Sequence, residues 1–282
     1  MSLPIAELSA AAPPIHNEGQ EATFPFSNDN MRTSFIDALN RKDTETYQAV
    51  ENPVAILVGE SALAANIQLI PEQTIVLIDK NHSTSLYMDR YAQALREEPD
   101  AASWMLRMLG SFASDSGAYI FSDHLARQMR HFRDCDKAHP FGNTIQDKIA
   151  YGNAQEKARE KTIVSWPADI AGPDDMNYLG ETLREHDGTV TLLNLTNVIP
   201  YCAERPHLGH SYLQSRRYAE VLRALPTTPD MPILTTSNYS HNTDSAATAH
   251  MLDFTGPFMG LDDLATRGGS GRTGPINGNP SY

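Results

Sequence analysis

The sequence predicts a doubly wound α/β domain on a mostly parallel sheet, and three observations carry that reading. Residues 54–58 and 75–78 are continuous apolar runs without polar alternation, the pattern of strands buried on both faces. Residues 61–70, between them, have the length of a short crossover helix, which makes the unit βαβ. Downstream, strand-like and helix-like stretches keep alternating, and that order places helices on both faces of one sheet. In such a sheet a ligand sits beyond the carboxyl ends of the strands.

Residues 1–21 are rich in Ala, Pro and polar side chains and are expected to lie loose on the surface. Phe24 to Asn30 precede a helix over residues 31–40, whose Met31, Phe35 and Leu39 recur at i and i+4. Those leading residues suit a hydrophobic staple and N-cap better than a lid over the site. After the second strand, residues 82–85 open a helix that runs to about Glu98, with Leu86, Tyr91, Ala94 and Leu95 on its buried face, and Pro99 stops it. Helices are expected at 101–109, 123–133 and 144–161. Roughly eighty residues thus separate the second and third strands, more than one crossover helix needs, so 100–150 reads as a helical insert shaping a substrate pocket.

Residues 162–166 form the third strand. Pro173 and Asp174 open a helix with Met176, Leu179 and Leu183 on one face, closed by Gly188. Residues 190–195 make the fourth strand, and 212–225 a helix with Tyr218, Val221, Leu222 and Leu225 in register before Pro226. Residues 232–236 are the fifth strand. No strand pair is expected after it: residues 246–254 read as helix, and the Gly-, Asn- and Pro-rich residues 267–282 as a flexible tail. The organisation is an N-terminal segment at 1–50, one domain at 51–266 with its insert, and the tail.

Composition narrows the function classes. A formal net charge of −13 opposes a nucleic-acid surface, because counterion release needs clustered Lys and Arg. Cys135 and Cys202 are too few for a disulfide framework, so a reducing compartment is expected. No apolar run approaches the ~18 residues that a membrane span requires. The expectation is a soluble, cytoplasmic protein with a small-molecule or protein substrate and no membrane partner.

The chemistry gathers at the strand ends. Gly59 closes the first strand, where the backbone must turn tightly and a ligand can approach. Asp79 ends the second strand 20 residues later, with Lys80 beside it. A carboxylate there can accept both ribose hydroxyls of a nucleoside. A single glycine in Gly59-Glu60-Ser61 is fewer than a Gly-rich phosphate loop carries. Together these features resemble the class I S-adenosylmethionine-dependent methyltransferases, whose fold is Rossmann-like. The resemblance spans about residues 50–238 and implies S-adenosylmethionine as cofactor. It implies that Gly59, Glu60 and Ser61 wrap the cofactor and that Asp79 binds its ribose. By the same resemblance Asp169 and Ile170 hold the adenine, and residues 195–198, led by Leu195, face the methionine part and the substrate. The chain departs from that family in its lone glycine and in lacking a recognisable antiparallel strand pair after the fifth strand.

Methyl transfer needs alignment of a nucleophile with the sulfonium methyl, sometimes with a base. Asn197 and Tyr201 after the fourth strand, and Asn238, Tyr239 and His241 after the fifth, are placed for that role; each also fits ordinary turn chemistry. His241 is the one side chain there that titrates near neutrality. On the helix from Asp123, His124, Gln128, His131 and Cys135 fall on one stripe, with His139 just beyond. Without short Cys or His pairings that stripe reads as a polar pocket rim rather than a zinc site, and no metal is expected. Ser61 follows a strand like a hydrolase nucleophile, but Leu63 stands where the sharp elbow needs a small residue. Transfer of another group from the same cofactor, a nicotinamide nucleotide in its place, and a non-catalytic nucleoside-binding or regulatory module are the alternatives.

Overall fold

A computed structural model describes residues 5–15, 49–59, 63, 67–104, 106–108, 148–195, 211–234, 236–240, 251–254 and 258–267. Its main sheet has the order β3-β2-β1-β4-β5-β8. The strands are β1 (Asn52–Val58), β2 (Thr74–Asp79), β3 (Thr162–Pro167), β4 (Gly188–Asn194), β5 (Pro232–Leu234) and β8 (Phe258–Met259). The first five are parallel, and β8 runs antiparallel against β5. The α/β expectation holds, and the fold is compatible with a Rossmann-like sheet.

Strands buried on both faces must present apolar side chains both ways, and β1 to β4 do so. Ala55, Leu57, Ile75, Leu77 and Leu192 point into one layer, while Val54, Ile56, Val76, Ile78 and Leu193 point into the other. The first layer is closed by α2 (His82–Glu97) and α3 (Lys148–Glu160) through Met88, Tyr91, Tyr151 and Ala154. Residues 101–104 and 106–108 are helical as expected, and Trp104 meets Tyr91 edge-on at 5.1 Å. On the second face lie α1 (Ile5–Ala11), α4 (Pro173–Glu185), α5 (Ser211–Leu222) and α6 (Leu261–Arg267). Met176, Leu179 and Leu183 of α4 are all fully buried, as their spacing predicts. Of the expected buried face of α2, Tyr91, Ala94 and Leu95 are fully buried, while Leu86 is only half-buried and Ser85 and Met88 also face inward.

Several expectations are corrected. Residues 5–11 are not loose: Leu8 is fully buried, and the Tyr178 hydroxyl donates to the Ala11 carbonyl at 2.8 Å. One well-placed leucine and small alanines let this helix sit close against α4 and β3. Residues 251–254 are not helical: β6 (Thr236–Ser240) and β7 (Met251–Phe254) form an antiparallel ribbon, and cross-strand pairing overrides local helix preference. Beyond β5 the sheet gains one further strand, β8, antiparallel at its edge. Gly188 does not close α4; Asp187 takes the left-handed turn at φ 53°, and Gly188 opens β4. The fifth strand stops at Leu234, and α5 stops at Leu222, beyond which residues 223–225 turn. Of the expected crossover helix at 61–70, a 3₁₀ turn at Ile67–Leu69 is described. The helices expected at 31–40 and 123–133, most of the insert, and the tail after Arg267 lie outside the described residues.

At the amino edge of the sheet a buried polar cluster ties three strands. The Lys161 ammonium donates to the Glu72 carbonyl at 2.7 Å, and the Thr191 hydroxyl donates to Glu72 Oε1 at 2.7 Å. Thr191 is the extra residue of a β-bulge, between Val190 opposite Val54 and Leu192 opposite Ala55. The bulge turns its side chain toward Glu72 on the face of α2 and α3.

Candidate functional site

The chain winds from β1 outward through β2 to β3, then returns to place β4 on the other side of β1. The strand order therefore reverses between β1 and β4, and the crevice beyond their carboxyl ends is where a doubly wound sheet takes a ligand. Gly59 stands at that crevice. Its φ is +65°, its N–H donates to the Ile78 carbonyl at 2.8 Å, and a Cβ built there would meet no atom within 4 Å. A side chain is disfavoured by the backbone, and the space above it is open.

Register brings the polar strand ends together. Val58 lies opposite Ile78 and Asp79 opposite Pro167, so β1, β2 and β3 end at one level. Side chains alternate along a strand, so Gly59, Asp79 and Asn194 fall on the face of Leu57, Leu77 and Leu192.

Asp79 rests on a built platform. Its carbonyl accepts from the Ala168 N–H at 3.0 Å and from the buried Ser85 hydroxyl at 3.2 Å. Its Oδ1 accepts the Asn81 N–H at 2.8 Å. Asn81 in turn caps α2, its side chain accepting from the Thr84 N–H at 3.1 Å. The helix cap thus belongs to Asn81, whose own N–H is bound by the Asp79 carboxylate. Lys80 is exposed beside this turn.

Asp169 repeats the device one strand over. Its Oδ1 accepts the Ala171 N–H at 2.8 Å, and its own N–H donates to Asp175 Oδ2 at 2.7 Å. Gly172 suits the tight return: a Cβ there would come within 3.1 Å of the Asp169 carbonyl oxygen, so the neighbouring backbone would have to give by a few tenths of an ångström. Ile170 and Leu195 belong to the apolar layer on the other face of the sheet, packed with α1, α4 and α5 residues. Glu60, Ser61, Asn197, Tyr201 and His241 lie outside the described residues, as does the His124 to His139 stripe. Among the described residues no three His, Cys, Asp or Glu side chains converge as a metal site, and no helix is long and apolar enough to cross a membrane.

Sequence reasoning missed Asn194, which is fully buried at the end of β4, where it lies opposite Leu57 of β1. The signal was there: Asn194 is the polar residue in Leu-Leu-Asn-Leu, and an amide is not buried at a strand end without a partner. Ser85 and Asn81 gave no such signal, since Ser and Asn are common at helix starts. The edge thus carries one open glycine turn and two oriented carboxylates, with the Asn194 amide fully buried at the end of β4. No protein-family model matches the chain, and no curated protein matches it.

Proposed function

We propose that this chain is an S-adenosylmethionine-dependent methyltransferase acting on a small molecule or a protein side chain. The observation that carries the proposal is the pairing of Gly59, open at the switch crevice, with Asp79 fixed at the end of the adjacent strand. Gly59 lets a ligand approach the backbone. Asp79 is suited to accept ribose hydroxyls, and Asp169 an adenine amine. The cofactor supplies an activated methyl group; the protein's task is to hold it and an acceptor in line and keep water out. Asn197, Tyr201 and His241 are the proposed acceptor-side groups. The antiparallel strand beside β5 also favours a methyltransferase over a nicotinamide enzyme, whose sheet order continues from five to a sixth parallel strand.

Calorimetric titration with S-adenosylmethionine, S-adenosylhomocysteine and NAD in parallel tests this. The first two should bind, and Asp79→Ala should weaken them by about 1–3 kcal/mol, the cost of hydroxyls left without a partner. Binding of NAD alone would sink the proposal. Binding of the first two without methyl transfer to any acceptor tried would leave the non-catalytic nucleoside-binding module in its place.

A further inference from the structure

Resting on the reading of Asp169 as the acid that takes an adenine amine, we infer that Asp175 is a positioning residue: from the first turn of α4 it fixes Asp169 at the exit of β3 and so sustains a preference for adenine over a 6-oxopurine. The bond is made by the side chain itself, Asp175 Oδ2 accepting the Asp169 N–H at 2.7 Å. β3 is an outer strand of the main sheet, and this N–H finds its acceptor on a helix rather than on a neighbouring strand. At the third position of a helix a Glu or Gln side chain ordinarily turns back to the N-cap N–H. Here the N-cap is Gly172, whose N–H is already given to the Asp169 carbonyl at 2.7 Å. Asp175 therefore reaches past the cap to Asp169. Gly172 leaves room for that reach, since a Cβ on it would stand 3.3 Å from Asp175 Oδ2 and 3.1 Å from the Asp169 carbonyl oxygen.

Asp169 is thereby held at three places: its N–H by Asp175, its carbonyl by the Gly172 N–H, and its Oδ1 by the Ala171 N–H at 2.8 Å. The last two ties close within residues 169–172 and move with that turn. The Asp175 bond ties the turn to α4, which is locked in the core by Met176, Leu179 and Leu183. Among the described residues no bond is made to Asp169 Oδ2, and that oxygen is left for a ligand. A carboxylate oxygen accepts from the 6-amino group of adenine and repels the 6-carbonyl of hypoxanthine, so discrimination depends on where Oδ2 stands. With the Asp175 tie lost, the turn can rock about its junctions with Ala168 and Pro173, and both the attraction and the repulsion weaken. Asp169 is half-buried and Asp175 exposed, so water can take the freed N–H and the fold survives the loss.

The test is the affinity ratio between S-adenosylhomocysteine and its 6-oxo analogue, S-inosylhomocysteine, measured on the full chain with thermal midpoints alongside. The wild type should prefer the adenine form. Asp175→Ala should shrink that preference by about three- to tenfold, the value of one hydrogen bond. Asp175→Asn, which keeps an acceptor oxygen, should restore it. Asp174→Ala removes a like charge from the same helical turn without touching the Asp169 tie, and should leave the ratio as in the wild type. Should Asp175→Ala fail to fold, Gly172→Ala carries the same comparison, since its methyl group crowds both partners of the bond. An Asp175→Ala protein with a lowered midpoint and an unchanged ratio would overturn the positioning role and leave the nucleoside site standing. So would a wild type that binds both compounds equally. A wild type that binds neither would instead remove the site, and this inference with it.

Discussion

Arg96 is where a single substitution tests the packing logic most sharply. α2 and α3 end side by side, so their negative dipole ends and unsatisfied carbonyls face the same region. The structure resolves this by exchange. Arg96, in the last turn of α2, donates through Nε to the Ala158 carbonyl at 2.8 Å and through Nη2 to the Lys161 carbonyl at 3.0 Å. Arg159 of α3 answers with 2.8 Å to the Arg96 carbonyl, and Gln155 and Tyr151 both donate to the Glu98 carbonyl. Burial pulls the Arg96 pKa down, opposed by Asp89, yet a guanidinium stays charged throughout the working range. Arg96→Ala removes two charge-assisted bonds, each worth about 1.5–3 kcal/mol; water can reach part of the gap, so a loss of about 2–3 kcal/mol is expected. At about 2–4 °C per kcal/mol for a domain of this size, the thermal midpoint should fall by about 5–10 °C. Arg96→Lys keeps the charge but not the fork and should lose roughly half as much. Urea denaturation should show a lower midpoint at unchanged slope. A loss under about 0.5 kcal/mol, the level of an ordinary surface substitution, would refute the reciprocal-cap reasoning.

Tyr151 gives the same junction a pH signature. Burial first, then Glu98 and Asp100, push its phenol from 10.0 up to about 12. Between those values the unfolded chain releases a proton that the folded chain keeps, so stability should fall as pH rises through that window. Tyr151→Phe should flatten that fall in urea midpoints measured across it; an unchanged slope would count against the phenol's burial as its cause. At the amino edge, Thr191→Val preserves shape but strands the Glu72 carboxyl oxygen that its hydroxyl serves. It should cost about 1–3 kcal/mol in denaturant unfolding, and a loss under about 0.5 kcal/mol would count against that hydrogen bond as a buried tie.

What the sequence disclosed followed from burial. The centres of β1 and β2 lie between two helix layers, so both faces had to be apolar there, and Val54–Val58 and Ile75–Ile78 stood out without any alternation. Met176, Leu179 and Leu183 were legible because one face of α4 meets the core. β8 was not legible, since Phe258 and Met259 are too short a run to show a period. Helix α1 hid because it docks through Leu8 and small alanines rather than a full apolar stripe. Gly59 and Asp79 could be read from chain position, because a strand end fixes where its last residues stand. Ile170 and Leu195 joined them through the family resemblance, and both pack in the apolar layer on the other face. Choosing between Asn194 and Leu195 requires knowing which face of β4 meets the crevice, and that depends on the bulge at Thr191, which no local pattern announces.

The two ends of the sheet divide the work. At the amino edge Glu72, Lys161 and Thr191 are sealed from water, and burial pulls the Lys161 pKa down against the raising effect of Glu72. Polar groups buried that deeply hold strands in register because any slip would leave them unsatisfied. The bulge that sends Thr191 into this cluster also sets which side chains β4 presents at its other end. One residue more in the ladder there brings Asn194, not Leu195, onto the face shared by Gly59 and Asp79. The register fixed at the closed edge thus decides the chemistry offered at the open one. A buried cluster far from any ligand is therefore part of how the candidate site is built.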